Sequence, residues 1–236
     1  MFTFFIALLL CQNAVNAATP ITLNAKNHLV VRGEINAESA SKFVYDSQRL
    51  RDTVRFVYIH SPGGSVHAGE QMVTELHHRN YTCIANTAYS MAFVLLQACR
   101  YRMITPYASL MQHQISIKHI GGELRQLSNV VADVSKTSQR LIKLQAQRIG
   151  VTPEWFANKT MTEWWLNGEE AIESNCADGL ADVQCTQALT QETFTDTDVS
   201  TFGFFSSATV YEYSKCPLVH LPLRTIASAS VPLNDN

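Results

Sequence analysis

From residue 28 to about residue 160 the chain alternates short apolar runs with amphipathic stretches. "HLVVRG" (28–33), "TVRFVYIH" (53–60) and "YTCIA" (81–85) carry the β-branched and aromatic character of buried strands. "NAESASKFVYDSQRL" (36–50) reads as a helix with Asn36 as its N-cap. Another helix follows a proline-glycine turn at 62–64 and runs to about Arg79. "SMAFVLLQAC" (90–99) is apolar nearly all round and predicts a buried helix. "YRMITP" and "SLMQHQISI" predict two short strands about a turn at Pro106. Leu124, Leu127, Val131, Val134 and Leu141 recur at three- and four-residue steps with one turn skipped, which predicts a long amphipathic helix to about Ile149. Pro153 opens a shorter one. Strand alternating with helix implies an α/β domain with a mainly parallel sheet and helices on its faces.

Length fits one domain: 236 residues are enough for a proper core, with 46% hydrophobic and 16% charged residues. A net charge of -2 and the lack of any dense Lys/Arg run give no electrostatic footprint for nucleic acid. The ends of the chain differ from its middle. "MFTFFIALLLCQNAVNA" joins an apolar run to small residues and predicts a signal peptide, residues 1–17, cleaved after Ala17. Uncleaved, the same segment would serve as a membrane anchor. The protein is therefore expected to be exported. The stretch from about Gln187 to Asn236, rich in Ser, Thr and Asp, reads as an irregular or partly disordered extension of the 18–186 domain, tethered through Cys216. Export permits disulfides. Cys83 with Cys99, Cys176 with Cys185, or either of the latter with Cys216 are reasonable pairs, and the odd count leaves one thiol over. The chain has no Cys-x-x-Cys, so no metal site is expected.

The chemistry gathers at two places. In "IHSPGGSVHAGEQ" (59–71) a strand ends at a glycine pair and a helix resumes at once, so backbone N–H groups can approach a neighbour closely. Ser90 stands where "YTCIANTAY" hands over to the buried helix. A serine there is most often an N-cap, but the same place exposes its hydroxyl and aims the Met91 N–H at developing negative charge. His113 lies in the strand-like "SLMQHQI", where a histidine is more often structural than a base.

Order and spacing raise both residues. "YIHSPGGSVHAGE", "AYSMAFVLLQA", "MQHQ" preceded by "YRMITPYAS", and "LNGEEAIESNCADGLAD" follow one another. Together, from about Leu29 to Val183, they resemble the Clp protease proteolytic subunit (ClpP-like) family of serine peptidases. The resemblance implies a ClpP/crotonase-like fold of repeated ββα units with a handle helix over about 123–149. It implies Ser90 as nucleophile, His113 as general base, and the N–H groups of Gly64 and Met91 as oxyanion hole. Gly63, Ile115 and a strand after Gly121-Gly122 would hold the substrate backbone. The family's third triad member is an aspartate; Glu163 stands at its position, with Asp178 the alternative if the register slips. Peptides or loose protein chains are the implied substrates, and copies of the chain itself the implied partners. No cofactor is implied. An exported member would lack ATP and an unfoldase.

Three other readings compete. Exported relatives resembling signal peptide peptidase A pair a serine with a lysine, for which Lys118 and Lys136 are the candidates here, although "VSKTSQR" looks too solvated to lower a lysine pKa. A crotonase-type acyl-CoA enzyme would need no Ser90–His113 pair. A peptide-binding scaffold that does not cut would keep the assembly and lose the chemistry.

Overall fold

The computed structural model describes residues 17–50, 52–117, 123–202 and 205–232. Residues 1–16, with most of the expected signal peptide, Cys11, Lys118 and Gly121-Gly122 lie outside them. A seven-stranded sheet forms the body. Its strands are β1 (Thr19–Leu23), β2 (His28–Ile35), β3 (Phe56–Gly64), β4 (Thr82–Tyr89), β5 (Tyr101–Gln112), β6 (Trp164–Asn167) and β7 (Gly179–Cys185). They run in the order β1-β7-β5-β4-β3-β2, all parallel, with β6 added antiparallel to the end of β5. Helices α1 (Ala37–Arg49), α2 (Val66–His78) and α3 (Met91–Ala98) connect the parallel strands. Then come α4 (Leu124–Ile149), α5 (Pro153–Lys159), α6 (Gly168–Glu173) and α7 (Gln187–Gln191). The architecture is the α/β domain that the alternation of strand and helix implies.

Strand pleating sorts the core. Val57 and Ile59 of β3 and Cys83 and Ala85 of β4 face the helices, with all eight residues of α3 buried beside them. Tyr58 and Ile84, between those positions, face the other way, where Ile21, Leu23, Ala181, Leu189 and Cys216 pack. Strands buried on both faces account for the continuous apolar runs.

Beneath α3 lies a buried charge. Arg102 is 1% exposed. Its guanidinium donates to Asp178 Oδ1 from Nε at 3.1 Å and from Nη2 at 2.5 Å, and to Gln97 Oε1 and the Asn175 carbonyl at 2.8 Å each. Burial alone would raise the Asp178 pKa, but the hydrogen bonds and charge of Arg102 outweigh it and hold the carboxyl below its usual range.

Three elements depart from the sequence reading. Pro106 does not split two short strands: β5 runs unbroken from Tyr101 to Gln112, and its register against β4 jumps from Ala85↔Ile104 to Thr87↔Ser109. Pro106 falls in that irregularity, where its missing N–H costs no ladder bond. Residues 113–117 have no regular structure, and α4 begins at Leu124, so no strand follows position 122. The extension is not irregular either. Strands β8 (Thr193–Phe202), β9 (Phe205–Ser214) and β10 (Arg224–Pro232) form an antiparallel sheet. Its Thr and Ser residues, read from composition as disorder, are interspersed with Phe194, Val199, Val210, Tyr211, Tyr213 and Ile226, and the β-branched threonines themselves suit an exposed sheet.

Among the described residues, sulfur atoms are bonded in two pairs, Cys83–Cys99 and Cys185–Cys216, and Cys176 is a buried free thiol. Cys216 begins a strap that crosses β2 and β3. Arg32 donates to the carbonyls of Pro217 at 3.4 Å and Val219 at 3.3 Å, and lies over the rings of Phe194 and Tyr213. His220 stacks on His60 with ring centroids 3.9 Å apart. Burial, His60 and Arg32 together push the His220 pKa down to about 4. Above about pH 6.5 both folded and unfolded chains hold this ring neutral. Between that pH and about 4 only the unfolded chain takes the proton, so stability should fall as pH falls through this window. Thermal denaturation across pH 7 to 4 should show that loss, and His220→Phe should flatten it. An unchanged slope in the variant would assign the acid sensitivity elsewhere.

Candidate active site

Ser61, buried at the end of β3, donates its hydroxyl to the Gly33 carbonyl at 2.6 Å and accepts the Gly63 N–H at 3.1 Å. That pins the glycine turn. Gly63 has φ of +93° and Gly64 of +146°, both in the region that favours glycine. A Cβ on Gly63 would stand 2.5 Å from the Tyr89 carbonyl oxygen, 2.9 Å from the Met91 nitrogen and 2.9 Å from Ser90 Cβ. The glycine turn therefore approaches the turn that carries Ser90.

Ser90 itself has φ of +55° and ψ of -119°, a strained conformation for a residue with a side chain. It occupies the N-cap position of α3 but makes no side-chain cap bond. Its backbone N–H donates to the Met111 carbonyl at 2.8 Å, which ties the turn to β5. An N-cap serine normally gains about 1 kcal/mol of helix stability by capping. Here the strain is accepted and the cap bond forgone, and among the described residues the hydroxyl makes no hydrogen bond. Met91 opens the helix, so its N–H has no partner within α3.

A cleft beside this turn is lined by Gly64, Ser90, Met91, His113 and Ile115 together with residues of α4 and α5. Gly63 is buried behind the Ser90 turn and does not line the cleft. No hydrogen bond joins Ser90 to the His113 ring among the described residues; catalytic bonds are often long before substrate is bound. Glu163 immediately precedes β6, whose Trp164 pairs with Gln112, so its backbone runs close to that of His113. Its side chain is exposed and accepts the Trp165 indole N–H at 2.9 Å rather than an imidazole. Asp178 is held by Arg102 and Arg148 and lies outside the cleft. Lys136 is exposed on α4 and does not line it either, and Lys118 is outside the described residues.

Two cleft residues were not picked out from the sequence. Gln112 and Gln145 are 4% and 2% exposed. Gln112 Oε1 accepts the His113 backbone N–H at 3.1 Å, its Nε2 donates to Gln145 Oε1, and Gln145 Nε2 donates to the Leu141 carbonyl at 2.9 Å. The available signal was one glutamine on the apolar stripe of α4, four residues after Leu141 and four before Ile149.

The sequence profile of the Clp protease family matches residues 13–184. The chain belongs to that family. It is 31% identical over 128 residues to the ATP-dependent Clp protease proteolytic subunit 1 of Chlamydia muridarum, covering 52% of this chain and 67% of that protein. The ATP-dependent Clp protease proteolytic subunit 1 of Bacillus cereus is 26% identical over 163 residues, covering 65% of this chain and 84% of its own length. The extension from residue 187 lies beyond the matched region. By family the protein is a peptidase.

Proposed function

We propose that the protein is a serine endopeptidase working through an acyl-enzyme. The observation that carries this reading is Ser90 on a strained turn, with its hydroxyl uncommitted, facing a cleft shared with His113. Ser90 Oγ attacks the peptide carbonyl while the His113 imidazole takes its proton. The N–H groups of Gly64 and Met91 stabilise the oxyanion. His113 then passes the proton to the leaving amine, and water hydrolyses the ester by the reverse sequence. Glu163 serves as the third member once its side chain turns from Trp165 to His113, where a carboxylate would orient the imidazole and stabilise its cation. The substrates are peptides or loosely folded chains.

The first half of α4 buries nothing: its buried residues begin at Leu141, while Leu124, Val130 and Val131 stand exposed. A second copy of the chain covering them fits a homo-oligomer. Two bonded cysteine pairs support an exported protein. Away from ATP such a protein would work without an unfoldase. One observation favours the non-cutting scaffold instead, namely the engagement of Glu163 with Trp165.

Fluorophosphonate labelling of the purified protein, read by mass spectrometry, separates the two. A single adduct on Ser90, lost in His113→Ala, is the expected result. Folded and assembled protein that takes no label would leave the scaffold. Labelling that survives His113→Ala would remove His113 as the base.

A further inference from the structure

We infer that the Gln112–Gln145 pair forms a polar floor to the cleft and selects substrates with a carboxamide side chain, glutamine or asparagine, on the acyl side of the cut bond. The inference rests on the peptidase reading above and goes beyond it. The cleft walls around the pair include the apolar Val66, Val94, Leu141, Ile142 and Phe156; Gln114 also lines the cleft, but it is exposed and its Nε2 donates to the Ala157 carbonyl at 3.1 Å. Thr160 also lines it, but its hydroxyl is already given to the Phe156 carbonyl at 2.8 Å. Ser138 and Ser116 are partly or fully exposed, where water can satisfy them.

The two glutamines differ in being almost wholly buried and only half used. A carboxamide has two N–H donors and two acceptor lone pairs. Among the described residues Gln112 spends one donor on Gln145 and one acceptor site on the His113 N–H. Gln145 spends one donor on the Leu141 carbonyl and one acceptor site on Gln112. Each amide keeps one N–H and one lone pair. A substrate side chain that fills the cleft displaces whatever water serves them. An aliphatic side chain would leave those groups unpaired. A substrate carboxamide brings two donors and two acceptor lone pairs on one planar group, which matches the two N–H groups and two lone pairs the glutamines have left between them. The floor joins two distant parts of the chain, the end of β5 and the buried half of α4, so its geometry is fixed by packing rather than by a loop.

The test uses full-length protein and three fluorogenic peptides identical except for glutamine, methionine or leucine on the acyl side. The expected kcat/KM ratio of glutamine to methionine is about tenfold or more. Gln145→Met, close in size and unbranched, should bring that ratio to about one or below. The ratio matters because Gln112 also holds the His113 backbone. A disturbed histidine would slow all three peptides alike, whereas loss of the floor changes their order. Equal or faster cleavage after methionine or leucine by the wild type overturns the inference, and that measurement needs no variant to fold. An unchanged ratio in folded Gln145→Met overturns it as well. Fluorophosphonate labelling runs alongside. Ser90 labelled with aliphatic side chains preferred sinks this inference alone, and Ser90 unlabelled with no peptide cut sinks the peptidase reading with it.

Discussion

Replacing Ser90 by alanine should abolish peptide cleavage, lowering kcat/KM by about 10⁴-fold or more, with folding and assembly retained. The size of the loss follows from the role. Without a nucleophile no acyl-enzyme forms, and an oxyanion hole with bound substrate supports only the slow attack of water. The backbone makes a second variant informative. Ser90 sits at φ of +55°, where a Cβ costs on the order of 1–3 kcal/mol and glycine is at ease. Ser90→Ala keeps that strain because it keeps the Cβ. Ser90→Gly relieves it, so the glycine variant should be equally inactive yet melt above the alanine variant. Strain concentrated at the one residue proposed to react, and released without harm when it is removed, is what a functional site predicts. A glycine variant no more stable than alanine would mean the strain is not borne at Ser90. Residual cleavage near the wild-type rate in either variant would refute the nucleophile.

Local chemistry made half of this site legible in the sequence. Two glycines after a strand and a serine before a nearly all-apolar helix are short-range signals. The residues that need them, Ser61, Gly63, Ser90 and Met91, lie within a few positions of each turn. Non-local relations were not legible. That Gln112 and Gln145 meet depends on how α4 folds back on β5, a contact spanning 33 positions. The side chain of Glu163 depends on a choice between Trp165 and His113 that no spacing encodes. The continuity of β5 through Pro106 was hidden for a related reason. A proline predicts a break unless the neighbouring strand carries a register shift to receive it, and the shift is a property of the pair. Composition alone points the extension toward disorder, because Ser, Thr and Asp lower its hydrophobicity. Threonine is nonetheless β-branched, and with the valines and aromatics around it suits an exposed sheet. Asp178, weighed as an alternative triad acid, shows the converse: a carboxylate near the right motif can be wholly occupied in holding the fold.

Arg102→Met should destabilise the protein by about 2–4 kcal/mol, a large effect for a single substitution outside the cleft. Methionine keeps the unbranched apolar stem of arginine and ends where the guanidinium begins, so the main cost is not lost packing of the stem. It lies in what is left behind. Asp178 loses both guanidinium contacts and keeps only the Arg102 backbone N–H at 2.8 Å and a 3.3 Å contact from Arg148. Gln97 Oε1, on a residue 2% exposed, and the Asn175 carbonyl lose their donor. These groups join the end of α3 to the segment that follows α6, so the damage reaches the helix whose first turn carries Ser90 and Met91. Chemical denaturation should show the lower midpoint, and peptide cleavage should fall in proportion to the folded fraction. Acid gives an independent check. The Asp178 pKa is depressed in the folded chain, so its stabilisation is present above about pH 4 and is lost as pH falls through the folded value. Wild type should lose stability across that range, and Arg102→Met should lose less because its carboxyl is no longer held low. A variant with wild-type stability would mean that the buried pair is neutral against an apolar replacement. A variant with parallel acid sensitivity would place the titrating group elsewhere.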